Sequence, residues 1–380
     1  MRIDLFGLVQ FEIAGTASPI LTYVEHEYGS LQTAARRGTP DLYVELVEDK
    51  VDPARAMRVR GPVSYDSRGV FLHDPQYRAL RIDFETLGTP GARITCDKDF
   101  NPHFFAVVID YLIHFHVLRH NAFLCHASAF ELDGRGILCP AWRNVGKTNL
   151  LLEALDNGAR YLADDWVLVH EGQLIALPKR LNLLYYNFQA FPGLIERASD
   201  DLRALVEFIR AAEGGVYDVN EDVLVRLRDQ ARWRIGASDL FGRMAVRGRS
   251  GVDAVFALRR VVGEDKVVLH RASQDELVSM VGAILRFEQS YFYLYYDAVK
   301  GRTGIRNDLV ENADLRTERL FAEAIRDLDV LYVIDVPSQD SSGRVREVIW
   351  DVLSQAGDRA YPSPARLEAV ARKRSADHTG

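Results

Sequence analysis

Glycine, lysine and threonine stand side by side as Gly146, Lys147 and Thr148 in the stretch CPAWRNVGKTNLLLEAL, residues 139–155. A phosphate-binding loop ends in this way. In such a loop, consecutive backbone N–H groups turn inward, and the N-terminus of the next helix adds partial positive charge. The lysine of the motif reaches the β and γ phosphates of a nucleotide, and the threonine hydroxyl binds Mg²⁺. The triplet therefore predicts a nucleotide site.

The flanking sequence has the context that this loop requires. RGILCPA before the loop is typical of a strand, and NLLLEAL after it predicts a helix over about 147–157 that ends at Gly158. One position departs from the pattern, because Ala141 stands where the first glycine is usual. That glycine relieves backbone strain at the strand exit, and alanine is compatible with the position if its φ stays negative. The bulky Trp142 and Arg143 follow, so a plain strand-to-helix turn stays an alternative.

Two adjacent carboxylates, Asp164 and Asp165 in ADDWV, end a predicted strand 17 residues after the lysine. Neighbours in a strand point to opposite faces, so one can face the γ-phosphate while the other meets metal, lysine or backbone. Phosphoryl transfer needs a carboxylate that orients or deprotonates the attacking hydroxyl, and Mg²⁺ that neutralises the phosphates. A solvated turn is the alternative, but the preceding loop favours a catalytic role.

His126 is the third candidate, near the start of the predicted strand FLCHASAFEL. The tight turn Asp133-Gly134 pairs this strand with the strand that leads into the loop. Hairpin pairing is expected to bring residues 126–128 alongside the end of the second strand, beside the phosphates. An imidazole there could contact the γ-phosphate or tune an aspartate. A structural histidine is the alternative.

The elements that must position these residues can be predicted from hydrophobic spacing. Residues 1–100 read as short strands bounded by turn residues. A long apolar helix is predicted over 102–121, and a second over DELVSMVGAILRFEQSYFYLYYDAV, residues 275–299. From residue 123, strands alternate with helices up to a final strand at 330–337, which implies an α/β sheet.

Taken together, His126, the hairpin, VGKT, a helix closed by NGA, and LADDWVLV resemble the kinase domain of HPr kinase/phosphorylase and related proteins. The resemblance is specific over residues 123–170 and does not reach residues 1–100. It implies an α/β fold with a mixed sheet: a P-loop kinase core of the HPr-kinase and phosphoenolpyruvate-carboxykinase type, preceded by a smaller β-rich domain. The expected domains are a β-rich domain at 1–100, a connecting helix at 101–122, the kinase domain at 123–358, and a tail at 359–380 whose last ten residues are expected to be disordered.

The resemblance further implies how ATP and Mg²⁺ are bound. Lys147 would bind the β and γ phosphates, and Thr148 would bind the metal. The loop amides of Asn144, Val145 and Gly146 would bind phosphate oxygens.

The remaining implied roles concern the transfer itself. Asp164 would act as the base toward the acceptor hydroxyl. Asp165 would support the metal or position the lysine, and His126 would lie close to the transferred group.

These roles make an ATP- and Mg²⁺-dependent kinase the leading hypothesis, with a serine or other hydroxyl of a protein or peptide as acceptor. A kinase for a small-molecule hydroxyl and a non-catalytic nucleotide-binding regulatory protein are the alternatives. The arginine-rich segment 226–251, with Arg243, Arg247 and Arg249, is a candidate for closing over the nucleotide or holding an acidic substrate. A solvated basic face is the alternative for this segment.

The composition limits the cellular location and the classes of binding partner that we expect. The chain has 380 residues and a formal net charge of −7, so it offers no basic footprint for nucleic acid. Its three cysteines have no metal spacing and read as buried thiols of a reducing cytosol. No signal peptide is recognisable, and no apolar run approaches the roughly 18 residues that span a bilayer. We expect a cytoplasmic protein without nucleic-acid or membrane partners; a homo-oligomer is compatible with the resemblance.

Overall fold

The computed structural model shows a mixed α/β protein that divides into two compact units. Unit 1 contains Met1–His126, Leu168–Gly172 and Val278–Arg326, and unit 2 contains Ala127–Val167, Gln173–Leu277 and the chain from Asp327 onward. The structure describes residues 1–34, 38–48, 51, 57–58, 63–177, 179–243, 246–263, 265–338 and 341–355. The predicted tail at 359–380 lies outside the described residues, and the predicted domain boundaries stay predictions.

The described elements follow in chain order. The strands are β1 (Arg2–Leu5), β2 (Val9–Ala14), β3 (Leu42–Val47), β4 (Met57–Arg58), β5 (Val63–Tyr65), β6 (Gly69–His73), β7 (Ala79–Asp83), β8 (Ala92–Asp97), β9 (Ala122–Leu132), β10 (Arg135–Pro140), β11 (Arg160–Ala163), β12 (Trp166–His170), β13 (Gln173–Ile175), β14 (Leu181–Leu184), β15 (Arg232–Ile235), β16 (Arg249–Gly251), β17 (Ala254–Arg260), β18 (Val268–Arg271) and β19 (Leu331–Val336). The α-helices are α1 (Pro19–Tyr28), α2 (Pro102–Leu118), α3 (Lys147–Asp156), α4 (Tyr185–Ala190), α5 (Asp200–Glu213), α6 (Glu221–Gln230), α7 (Ala237–Phe241), α8 (Gln274–Glu288), α9 (Ser290–Thr303), α10 (Asp308–Glu311), α11 (Ala313–Ile325) and α12 (Ser342–Gln355).

Unit 1 is built on a sheet in the order β1-β2-β3-β8-β7-β6-β5-β4. The pairs β2–β3 and β3–β8 are parallel, and the other described pairs are antiparallel. The predicted helix α2 forms because the Asn101 side chain caps its N-terminus ahead of Pro102. Helix α1 was not predicted, although Ser18 before Pro19 is the same kind of start signal. Among the described residues, no helix has the length and apolar character that crossing a membrane requires.

The prediction of one continuous helix over 275–299 is wrong. The segment forms α8 and α9, which are separated at Gln289. The side chain of Gln289 is buried, and the Tyr111 hydroxyl donates a hydrogen bond to the carbonyl oxygen of Glu288. A carbonyl bound by a side chain at this point is consistent with a helix that ends and restarts.

The second sheet runs in the order β16-β13-β12-β9-β10-β17-β19-β18, and β11 pairs with β9 beside this path. Strands β10, β17 and β19 are parallel to one another at its centre. Strands β9 and β10 form the predicted hairpin. Its turn residues Asp133 and Gly134 both have positive φ, 49° and 81°, as a two-residue type I′ turn requires. The pairing ends at Pro140 opposite Ala127, so the loop after Pro140 leaves the sheet beside the middle of β9.

Helix α3 follows this loop and confirms the predicted helix to within one residue at its C-terminal end. Its leucines, Leu150, Leu151, Leu152 and Leu155, are buried in the core of unit 2. Gly158 has φ 91° and donates its N–H to the Leu155 carbonyl, so it closes the helix as predicted. Burial of this apolar face fixes the position of the N-terminus of α3 at the edge of the sheet, directly after the loop.

Candidate functional site

The loop between β10 and α3 has a backbone that turns twice through the left-handed region. Asn144 has φ 60° and Gly146 has φ 110°. Between them, Val145 is buried in the core and anchors the loop. Glycine adopts such a φ without steric cost, whereas asparagine tolerates it better than most other residues. Gly146 is the N-cap of α3, so the unsatisfied N–H groups of the first helical turn lie next to it.

Ala141 is compatible with this loop although it replaces the usual glycine. It is fully buried and forms a parallel β-bridge with Leu258 of β17. The loop residues with positive φ are Asn144 and Gly146, so Ala141 keeps the negative φ that alanine prefers. Ala141 therefore continues the parallel pairing with β17 one residue beyond the end of β10.

Lys147 and Asp165 form the first of two polar pairs at the start of α3. Lys147 Nζ lies 3.3 Å from Asp165 Oδ1. The lysine side chain is 9% exposed and the aspartate side chain is 62% exposed, so the pair has a buried cation and a solvated anion. Solvent weakens such an ion pair. An incoming phosphate could therefore displace Asp165 from the lysine at little cost.

Thr148 and Asp164 form the second pair. Thr148 Oγ1 donates a hydrogen bond of 2.9 Å to Asp164 Oδ2. Asp164 is buried, and its Oδ1 atom lies out of solvent without a well-oriented hydrogen-bond partner among the described residues. Burial, with the nearby charge of Asp165, raises the pKa of Asp164, although Lys147, Thr148 and the Asp165 amide partly oppose this. A buried carboxylate oxygen without a partner is costly unless a ligand completes it.

The two aspartates lie in the bend between β11 and β12 rather than within a strand. Asp165 has φ 70°, which turns the chain between the two carboxylates. Its carbonyl oxygen accepts a hydrogen bond of 3.2 Å from the Ala127 N–H, which fixes the bend against β9. Strand alternation therefore does not apply to the two side chains, and Asp165 contacts Lys147 while Asp164 contacts Thr148. Positive φ at a non-glycine residue costs free energy and is often found at functional sites.

Helix α4 brings residues to the site that no sequence motif indicates. Burial and the charges of Asp164 and Asp165 raise the pKa of Tyr186 to about 12. The next residue, Asn187, is fully buried and donates a hydrogen bond of 2.6 Å to Asn149 Oδ1, one residue after Thr148. This amide pair holds α4 against the first turn of α3. Only tertiary contact reveals it, because the two asparagines are 38 residues apart.

The end of β17 contributes two arginines on the other side of the loop. Arg260 Nη1 donates a hydrogen bond of 3.4 Å to the Asn144 carbonyl. Arg259 forms a bidentate ion pair with Asp335 of β19, at 2.8 and 3.1 Å, and His270 Nε2 lies 2.9 Å from the same carboxylate. Burial alone would raise the pKa of Asp335, but the hydrogen bonds from Arg259 and His270 outweigh it and lower the pKa.

His126 and the three candidate arginines contact residues outside the two polar pairs at the start of α3. His126 belongs to unit 1 and is buried, with Nδ1 3.8 Å from Glu288 Oε1. Its position beside the phosphates stays a prediction. Arg247 Nε lies 3.2 Å from Glu131 Oε2, and Arg249 pairs with Ile175 at the edge of the second sheet. Arg243 is exposed.

The donor set at the loop can be compared with the needs of Mg²⁺. The described residues contain no group of three or more histidine, cysteine, aspartate or glutamate side chains that could hold a metal ion alone. Thr148, Asp164 and Asp165 offer a hydroxyl and two carboxylates. Mg²⁺ usually takes one or two carboxylates and completes its shell with substrate phosphates and water. These residues therefore fit Mg²⁺ that binds together with a nucleotide.

Comparisons with known proteins add a structural similarity. No protein-family model and no curated protein matches the chain. Among solved structures, the chain is similar to the HPr(Ser) kinase/phosphatase from Coxiella burnetii at 14% sequence identity. The match covers 47% of this chain and 98% of that chain, with a TM-score of 0.22. A TM-score of this size supports no conclusion about function, which therefore rests on the geometry of the site.

Proposed function

We propose that the chain is an ATP- and Mg²⁺-dependent kinase that transfers the γ-phosphoryl group to a serine or other hydroxyl of a protein or peptide. One observation supports this most directly. The pairs Lys147–Asp165 and Thr148–Asp164, at 3.3 and 2.9 Å, stand together at the N-terminus of α3. A cation, a hydroxyl and two carboxylates at one helix N-terminus are the groups that phosphoryl transfer requires.

The nucleotide phosphates would bind along the loop. The amides of Asn144, Val145 and Gly146 and the first turn of α3 supply donors and partial positive charge. Lys147 would leave Asp165 and bind the β and γ phosphates. Its side chain is almost buried, so its charge acts on the phosphates with little screening by solvent.

Thr148 Oγ1 and the carboxylate of Asp165 would hold Mg²⁺. When bound, the ion supplies charge neutralisation on the phosphate oxygens. The Thr148 hydroxyl already donates a hydrogen bond to Asp164. A lone pair of its oxygen is therefore available as a metal ligand.

Asp164 would serve as the general base. The oxygen of the acceptor hydroxyl forms a bond to the γ-phosphorus while the bond between that phosphorus and the β–γ bridging oxygen breaks. The hydroxyl proton passes to Asp164, and ADP leaves. A raised pKa makes Asp164 a stronger base than a solvated aspartate, and its buried Oδ1 has no competing partner of good geometry among the described residues. His126 would lie close to the transferred group.

The test uses [γ-³²P]ATP with the full chain, with water alone and with an array of serine, threonine and tyrosine peptides. Lys147→Ala should lose ATP binding, measured by calorimetry. Asp164→Asn should keep ATP binding and lower transfer at least about 100-fold, the usual contribution of a general base. Asp156→Asn, on the exposed C-terminal end of the same helix, is the matched control and should change neither quantity.

Three other results of this experiment would contradict the proposal, each in a different way. If Asp164→Asn transfers phosphate at the wild-type rate, Asp164 is not the base. If the wild-type chain binds ATP but labels neither water nor any hydroxyl, it is a nucleotide-binding regulatory protein. If the label passes to small hydroxyl compounds and to no peptide, the acceptor is a small molecule.

A further inference from the structure

A cavity of about 410 Å³ opens between the loop and the end of β17. Its lining consists of Trp142, Arg143, Asn144, Val145, Arg259 and Arg260. The volume falls in the range of small-molecule sites, about 300–1,000 Å³. No role described above uses Trp142, although this large aromatic residue stands within the loop itself.

The cavity and the catalytic candidates lie on opposite sides of β10. Strand β11, which leads into Asp164 and Asp165, pairs with β9 on one side of β10. Strand β17, which ends in the two arginines, pairs with β10 on the other side. A triphosphate on the loop, with its γ end at Lys147 and Asp164, therefore has its other end directed toward the cavity.

The shape of the lining groups suits a nucleoside, because an indole and three guanidinium groups are planar. Arg259 is neutralised by its bidentate pair with Asp335, so it offers a flat guanidinium surface more than a free charge. Arg260 reaches the carbonyl of Asn144 and so lies against the loop. An indole ring with planar guanidinium groups is a surface on which nucleic-acid bases stack.

We infer that this cavity binds the nucleoside of the nucleotide. The base would stack on Trp142 and Arg260, next to the α-phosphate. This inference rests on the proposed function, because it takes the loop as the triphosphate site. It makes Trp142, one of the bulky residues that departs from the usual loop sequence, the residue that selects a nucleotide over a bare polyphosphate.

The test compares two probes, ATP and inorganic tripolyphosphate, by titration calorimetry with Mg²⁺. Trp142→Ala should weaken ATP binding about 10-fold, because base stacking contributes about that factor. Its affinity for tripolyphosphate should stay within about 2-fold of wild type. Trp142→Phe keeps an aromatic face and should bind ATP nearly as the wild-type chain does. The inference is overturned if Trp142→Ala leaves ATP binding unchanged or weakens both probes equally.

A second measurement does not depend on the alanine variant being folded. The chain has four tryptophans, so labelling with 5-fluorotryptophan gives four ¹⁹F signals, and Trp142→Phe assigns one of them. ATP should shift the Trp142 signal clearly more than tripolyphosphate does. Equal shifts, or equal affinities of the wild-type chain for both probes, would refute the nucleoside site alone. A wild-type chain that binds neither probe would refute the proposed function.

Discussion

Asp164 and Asp165 are neighbours in the chain but have opposite electrostatic surroundings. Asp164 is buried against Thr148, and burial raises its pKa. Asp165 is mostly solvated and lies beside the buried ammonium of Lys147. One carboxylate is thus kept as a stronger base and the other as a counter-ion that a phosphate can replace. Different environments for two acids are a usual way in which a site separates their roles.

The buried charge of Asp164 should destabilise the chain at neutral pH. Its folded-state pKa lies above the unfolded value of about 3.9. Below that pH the carboxyl is protonated in both states and does not destabilise the fold. As the pH rises through the folded-state pKa, the buried group must ionise and the free energy of unfolding falls. Asp164→Asn keeps an oxygen that accepts from Thr148 but removes the charge. At pH 7, without ligand, we expect its free energy of unfolding to exceed that of wild type by about 1 kcal/mol, a common size for one stabilising substitution.

Thermal and urea unfolding at pH 7 and pH 3 measure this difference. At pH 3 the wild-type carboxyl is protonated in both states, so the advantage of Asp164→Asn should vanish. A variant that is less stable than wild type at pH 7, or equally stabilised at both pH values, would show that Asp164 is not held at a raised pKa.

At the scale of elements, helix α3 is bracketed by two glycines in the left-handed region, Gly146 at φ 110° and Gly158 at φ 91°. They allow a matched comparison, because alanine is strained at both positions and only the first borders the loop. We expect each Gly→Ala variant to lose about 1–2 kcal/mol of stability. A Cβ at Gly158 meets no atom within 4 Å, so strain is its only cost.

Only Gly146→Ala should weaken binding of ATP and of tripolyphosphate, since it moves the amides that bind phosphate. We expect a loss of at least about 10-fold, which corresponds to about 1.4 kcal/mol, measured by calorimetry. Equal affinities for Gly146→Ala and Gly158→Ala would show that the loop backbone does not form the phosphate site.

The elements also show how far sequence reasoning reaches. The hairpin, the loop and α3 could be predicted because their signals are local: two turn residues, three motif residues and an apolar face closed by Gly158. The contributions of Tyr186, Asn187 and Arg260 could not, because each reaches the site from an element distant in sequence. The break at Gln289 was missed for the same reason, since the hydroxyl that binds the preceding carbonyl comes from Tyr111.

At the scale of the whole molecule, the chain leaves and re-enters each unit, so neither unit is one continuous segment. The residues that bind nucleotide in our proposal all belong to unit 2, although they come from two separate segments of it. The first supplies the loop, α3 and the aspartates, and the second supplies the end of β17. His126 and Glu288 belong to unit 1. Nucleotide binding should therefore stabilise parts of the chain that are far apart in sequence.

Hydrogen–deuterium exchange with and without MgATP measures this pattern. Ligand binding adds stability that grows with the logarithm of the ligand concentration relative to Kd, about 2.7 kcal/mol at 100 times Kd, and the effect is greatest where opening releases the ligand. We expect slower exchange in peptides that cover residues 141–150, 162–167 and 257–261, and no change in β6 and β7 of the first sheet. Lys147→Ala should abolish the protection in all three peptides at once, because they share one ligand. Protection confined to the loop peptide would show that Asp164 and Asp165 do not lie at the bound nucleotide. Asp164 could then not act as the general base of the proposed kinase.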